Sequence, residues 1–266
     1  MIQYLYLGRI DYAEALALQQ EMVELRYQGK IENTVLMLEH PPVLTLGRNA
    51  TRVNILASDE VLARKGISVH ETKRGGEVTY HGPGQLVGYP IFDLRSLTNS
   101  TGGRLGPVDY VRRVEEVMIR LCANYGVVTG RVQGRTGTWT TTPGREKKIG
   151  AIGVHVSRGI TSHGFAFNLS TDLRDFQWIV PCGIADREVT SLELEIADRD
   201  QLPTLEQLAD AAARCFGHVF EQQVLAMESL DALRESSVSQ IGVPMQVPDE
   251  IERLRHVDGA AKSVRA

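Results

Sequence analysis

The sequence predicts an α+β fold, a mixed β-sheet with helices packed around it. Three observations carry that expectation. Short runs of strand length, apolar or alternating, recur through most of the chain. Segments with apolar residues at helical spacing are interspersed irregularly among them, not in the one-for-one alternation of a regular βαβ repeat. The 266 residues are 42% hydrophobic and 23% charged, an ordinary balance for a globular protein with a substantial core.

The elements follow in order. Asp11 is an N-cap residue with Glu14 three positions on, and Ala15, Leu18, Met22 and Leu25 then recur at helical spacing until Gly29. Residues 34–39 read as a buried strand broken by His40-Pro41-Pro42, and 43–47 as another short one. Further strands are expected at 67–70, 76–81 and 86–92, separated by turns containing Gly and Pro. A second helix spans 109–125, with Val111, Val114, Met118, Leu121 and Cys122 on one face. Strands follow near 127–132, 136–141, 147–157 and 161–169, with Arg158-Gly159 as a hairpin turn between the last two. Thr204-Leu205-Glu206-Gln207 is a capping-box start for a third helix to about residue 222. Beyond 226 apolar periodicity weakens, and Pro244, Pro248 and the charged end point to a loosely attached tail. The expected division is a domain over 1–225 and a C-terminal extension over 226–266.

Composition narrows the function. A net charge of −4 argues against a nucleic-acid partner. The three cysteines, Cys122, Cys182 and Cys215, form no CxxC, which suits a reducing compartment and not a disulfide framework. The N-terminus has no signal-peptide pattern, and no run of about 18 apolar residues could span a membrane. The expected location is cytoplasmic.

Four features could carry chemistry. The first is Arg74-Gly75-Gly76-Glu77-Val78-Thr79-Tyr80-His81-Gly82-Pro83-Gly84-Gln85. Taken alone it could be a turn between strands. It is neither a Walker A loop nor a dinucleotide fingerprint, and it could bring backbone N–H groups, Arg74 and His81 around a small ligand. The second is Pro181-Cys182-Gly183-Ile184: Cys122 and Cys215 lie within amphipathic helices as small buried hydrophobes, whereas Cys182 is set between Pro and Gly, where a thiol can meet a ligand. The third is Lys147-Lys148, entering a strand. Side chains alternate there, so at most one of the two ammonium groups points into a site. The fourth is His81, His155 and His163. No pair has a zinc-ligand spacing; His81 and His163 are expected to line a site and His155 to lie on a strand surface.

These pieces together resemble the octanoyltransferases of lipoate biosynthesis, also called lipoyl(octanoyl) transferases. The matching blocks are Arg74–Gln85, Gly134–Trp139, Lys148–Val154, Ser162–Leu173, Phe176, Pro181–Ile184 and Val189–Leu192, in that order, and the likeness covers roughly residues 1–220. The resemblance implies a fold similar to the biotin and lipoate protein ligase catalytic domains. It implies transfer of octanoyl from octanoyl-acyl carrier protein to a lysine of lipoyl domains, as in 2-oxoacid dehydrogenase complexes or the glycine cleavage H protein. It places Cys182 as nucleophile and Lys148 as its partner. It carries substrate binding onto Arg74, Gly75, Gly76, Glu77, Val78, Thr79, Tyr80 and His81, onto Ala151, Ile152 and Gly153, and onto Gly164, Phe165 and Ala166. No ATP, metal or other cofactor is implied; the donor brings its own phosphopantetheine. Residues 99–104 look like an inserted surface loop, and the long approach over 140–146 brings Lys147 into contention with Lys148, which the Ile-Gly-Ala-Ile-Gly-Val context favours. An ATP-dependent lipoate ligase on the same fold and a non-catalytic module that binds carrier or lipoyl domains are the competing readings.

Overall fold

The computed structural model describes residues 1–99, 101–141, 145–179 and 188–236. The elements run β1 (Ile2–Arg9), α1 (Tyr12–Tyr27), β2 (Asn33–Glu39), β3 (Val43–Leu46), α2 (Asp59–Arg64), β4 (Ser68–Glu71), β5 (Val78–His81), β6 (Gln85–Ile91), α3 (Pro107–Ala123), β7 (Thr129–Val132), β8 (Arg135–Thr140), β9 (Lys148–Ser157), β10 (Ile160–Asn168), α4 (Leu192–Glu195), α5 (Leu205–Phe220), β11 (Val224–Ala226) and α6 (Leu230–Glu235). Each strand and long helix expected from the sequence is present, with shifts of one to three residues at its ends. The α+β expectation holds.

Eight strands form one sheet in the order β11-β1-β2-β6-β10-β9-β8-β7, and β4-β3-β5 form a second, smaller one. In the large sheet β1 pairs parallel with β2 and β11, and every other pairing is antiparallel. Alternation sorts the side chains between two cores. Val35, Met37, Leu86, Phe165 and Phe167 face α3 and α5, while Leu36, Leu38, Val87, Tyr89 and Ala166 face α1. Both faces of β2 are therefore covered, which explains the unbroken apolar run Val35–Leu38 within it. The small sheet keeps its own core of Leu44, Leu46, Ile55, Leu62, Val78 and Tyr80.

Local chemistry sets the ends. Asp11 caps α1 by accepting from the Ala13 N–H, and not through a reciprocal box with Glu14. Pro107 opens α3 two residues before the expected start, since a missing N–H costs nothing in the first turn. Thr204 and Gln207 form the anticipated capping box of α5. Arg158 and Gly159 both have positive φ, as a two-residue hairpin turn needs. The stretch 226–236, assigned to the extension by sequence, packs on the body. Leu233 is fully buried, Arg234 pairs with Glu21, and the Gln3 amide donates to the Ser236 hydroxyl. Residues 237–266 lie outside the described set. Among the described residues no helix is long and apolar enough to cross a membrane.

One buried charge ties α3 to the sheet edge. The Glu115 carboxylate has no exposed side-chain surface. It accepts from Arg112 at 2.7 Å, from Arg131 of β7 at 3.0 Å and from the Gly137 N–H of β8 at 3.0 Å. Glu115→Ala should cost about 3–5 kcal/mol, because it strips a compensated charge from two arginines and orphans a buried N–H. Denaturant unfolding measures this, and a loss below about 1 kcal/mol would contradict the assignment.

Candidate active site

A cavity opens between the α1 face of the large sheet and the small sheet. It is lined by Tyr12, Arg74, Gly76, Val78, Thr79, His81, Val87, Tyr89, Lys148, Ala151, Ile152, Gly153, His163, Gly164, Phe165, Ala166, Phe176, Ile179 and Val189. Its floor is a patch of minimal side chains. Ala151 stands opposite Ala166, and Gly153 opposite Gly164, across the β9–β10 pair. A Cβ on Gly153 would come within 2.9 Å of the Gly75 carbonyl oxygen, so the bare position lets the Gly-rich loop lie down on the strand.

Arg74 holds that loop. The buried guanidinium donates to the Thr45 carbonyl and hydroxyl at 2.6 and 2.9 Å, to the Glu77 carbonyl at 2.7 Å and to the Gly75 carbonyl at 3.0 Å. The Gly75 N–H in turn donates to the Val154 carbonyl at 2.9 Å. One side chain thus fastens the loop to β3, and one backbone bond fastens it to β9.

The imidazoles beside the cavity are neutral. His81 donates from Nδ1 to the Gln85 Oε1 at 2.7 Å, which leaves Nε2 as its acceptor nitrogen. Burial, with His40 close by, pushes the His81 pKa down to about 3. Burial and then the Arg74 charge hold His163 at about 4. His163 also has φ of 53°, a left-handed conformation inside a strand, and its N–H donates to the Gln19 Oε1 at 2.8 Å. Behind them Tyr12 contacts His40, His70 and His81 through ring packing, and His40 bridges the Ile10 carbonyl and the Tyr89 hydroxyl.

A polar chain links this wall to the Lys148 strand. The Gln85 amide donates to Asn168 Oδ1, the Asn168 amide to the Thr190 carbonyl and the Thr190 N–H to the Lys148 carbonyl, each at 2.9 Å. Lys147 turns away and pairs with Glu188 at 3.1 Å, while Lys148 lines the cavity. Of the two lysines in contention, Lys148 is the one that lines the cavity.

The expected substrate-binding residues converge, with three exceptions. Tyr80 points into the small-sheet core and donates to Asp175 at 2.7 Å, because it alternates with Thr79 and His81 along β5. Gly75 and Glu77 contribute backbone to the loop clasp and do not line the cavity. His155 is half-buried on β9, away from the cavity, as expected. Cys182 lies outside the described residues. Cys122 and Cys215 are buried in α3 and α5, where burial pushes their thiols up to about 12 and about 11, far from thiolate chemistry. Tyr12, Val87 and Tyr89 were not legible as cavity residues. Tyr12 did stand at the first turn of a helix, on its apolar face, the one signal that could have raised it. Among the described residues no group of three His, Cys, Asp or Glu is disposed to hold a metal ion.

A family model described as the lipoyl protein ligase A/B catalytic domain matches residues 11–217. An octanoyltransferase from Acidobacterium capsulatum is 64% identical over 232 residues, 86% of this chain and 94% of its own length. One from Koribacter versatilis is 50% identical over 258 residues, 97% of this chain and 98% of its own. The chain belongs to the octanoyltransferase family of acyltransferases. Two solved structures share the fold of this chain. A bi-partite lipoate protein ligase from Thermoplasma acidophilum has a TM-score of 0.62 at 16% identity, covering 88% of this chain and 91% of its own. Lipoate-protein ligase A bound with ATP gives 0.62 at 15%, covering 88% and 93%.

His81 and His163 generate a prediction. Their folded pKa values lie below the 6.5 of the unfolded chain, so the unfolded chain binds more protons below that pH. Their effect is absent above about pH 6.5 and grows as pH falls toward 4. NMR titration should find both rings neutral down to pH 5. Unfolding free energy should fall between pH 7 and pH 5 by on the order of 2 kcal/mol per histidine. A ring titrating near 6.5 would contradict the assignment.

Proposed function

We propose that this chain transfers octanoyl from octanoyl-acyl carrier protein to a lysine of a lipoyl domain through a thioester on Cys182. Octanoyl transfer in protein lipoylation follows from the family; the covalent route and the carrier donor are specific to this reading. One observation carries it. Lys148 stands in the cavity wall with Ile179 and Val189, the residues that flank the segment bearing Cys182 in the sequence.

The chemistry needs few parts. The Cys182 thiolate attacks the donor thioester carbonyl, its sulfur–carbon bond forms, and the phosphopantetheine sulfur leaves and takes up a proton. The neutral amine of the acceptor lysine then attacks the acyl-enzyme, an amide forms, and the Cys182 sulfur leaves. Lys148 favours each thiolate as an ammonium and relays the proton that the amine must lose. One thioester is exchanged for another, so the reading needs neither ATP nor a metal. The bare floor at Ala151, Gly153, Gly164 and Ala166 leaves room for the acyl chain, and each methylene buried there contributes about 0.8 kcal/mol.

Intact-protein mass spectrometry tests this with octanoyl-acyl carrier protein and no ATP. The wild type should gain one octanoyl group and lose it to a lipoyl domain, while Cys182→Ala gains none. Lys148→Ala should lower kcat about 100-fold or more. Modification of the lipoyl domain from free octanoate only when ATP is present would move the chain to the ligase reading.

A further inference from the structure

Lys148 is placed by the neighbouring strand. Thr138 pairs with Gly150 and Trp139 with Lys148, so Ile149 is an extra residue on β9. Strict alternation would put Lys148 and Ala151 on opposite faces; the extra residue lets both line the cavity. Across the pair, the Lys148 Nζ lies 4.8 Å from the centroid of the Trp139 ring. The lysine stem reaches that point past Gly137, where a Cβ would come within 3.3 Å of the Lys148 Cε and 2.5 Å of the Gly150 oxygen. Gly137 sits at φ of 121°, a conformation that favours glycine, and its N–H is fixed by Glu115.

Trp139 itself is fully buried. Its Nε1 has no hydrogen-bond partner among the described residues. A buried indole N–H left unpaired is unfavourable, and a phenyl ring would pack without that penalty. What indole offers in exchange is the strongest ring face for a cation.

We propose that Trp139 is a positioning residue for Lys148: its ring face carries the ammonium across the β8–β9 pair, along a channel that Gly137 leaves open, and aims it at the cavity. The inference rests on the catalytic reading of Lys148 above. The ring holds the cationic form during thiolate formation and does not touch the substrate.

Steady-state transfer to a lipoyl domain tests it, with Trp139→Leu and Trp139→Phe in the wild-type and Lys148→Ala backgrounds. Trp139→Leu should lower kcat about tenfold with KM within twofold, and Trp139→Phe should restore most of that loss. In the Lys148→Ala background neither substitution should lower kcat further. Equal losses for Leu and Phe, or an undiminished loss without Lys148, would make Trp139 a packing residue and overturn the proposal. If Lys148→Ala alone leaves kcat intact, the catalytic reading of Lys148 fails and this inference with it, whatever Trp139 does. A second measurement covers a Trp139→Leu protein that does not fold. In lysine-labelled wild type, the Lys148 ε-methylene protons, assigned with Lys148→Arg, should be shifted upfield by the indole ring current. Their resonance at the position of solvent-exposed lysines would also overturn the proposal.

Discussion

The architecture turns on the buried guanidinium of Arg74. The two sheets share no strand, and the Gly-rich loop bridges them beside the cavity. Arg74 grips the β3 backbone and the carbonyls of its own loop, and the next residue bonds to β9. A lysine could not replace it, because four acceptor oxygens in different directions outnumber the three N–H donors of an ammonium. The glycines around it are consequences of that grip. Gly47 passes so close to the Gly76 carbonyl, and Gly153 to the Gly75 carbonyl, that any side chain would lift the loop off both sheets. The charge also faces the cavity, where it helps keep His163 neutral.

The second organising feature is the division of labour among polar groups. His81, Gln85, Asn168 and Thr190 form a closed sequence of donors and acceptors that ends on the Lys148 carbonyl. Each amide is used on both sides, which fixes its orientation and the His81 tautomer together. The wall is therefore rigid and uncharged, and the cationic character of the site is left to Arg74 and Lys148. Such an arrangement suits the proposed route, in which the site receives an acyl chain and biases a thiol toward thiolate.

Much of this was legible in the chain. Strands such as Thr34–Glu39 and helices such as that opened by Thr204 announced themselves because their burial is set by local periodicity and capping. The Gly-rich run was visible as a ligand loop because close backbone approach demands glycine. What periodicity could not supply was the choice between Lys147 and Lys148 on residue pattern alone. Which of the two lines the cavity depends on a one-residue bulge at Ile149, set by cross-strand register. Tyr80 stands off the cavity for the related reason that a motif names neighbours in sequence while a strand sends them to opposite faces. Tyr12 comes from an element remote from the motif and Tyr89 from the strand that follows it, and only the tertiary packing brings them to the cavity. The short helix α6 escaped notice because six residues carry too little periodicity to register.

The edge strand β11 adds a consequence for how the chain comes to be made. β1 is flanked on one side by β2, some thirty residues on, and on the other by β11 at Val224–Ala226, while the N-terminal ammonium is bonded to Gln222. During synthesis β1 thus keeps one row of backbone donors and acceptors open until almost the whole described domain has followed it. An apolar strand waiting in that state is a template for pairing with another nascent chain. Its exposed Arg9 and the partial exposure of its second half are the features that blunt this hazard before the C-terminal strand arrives to close the edge.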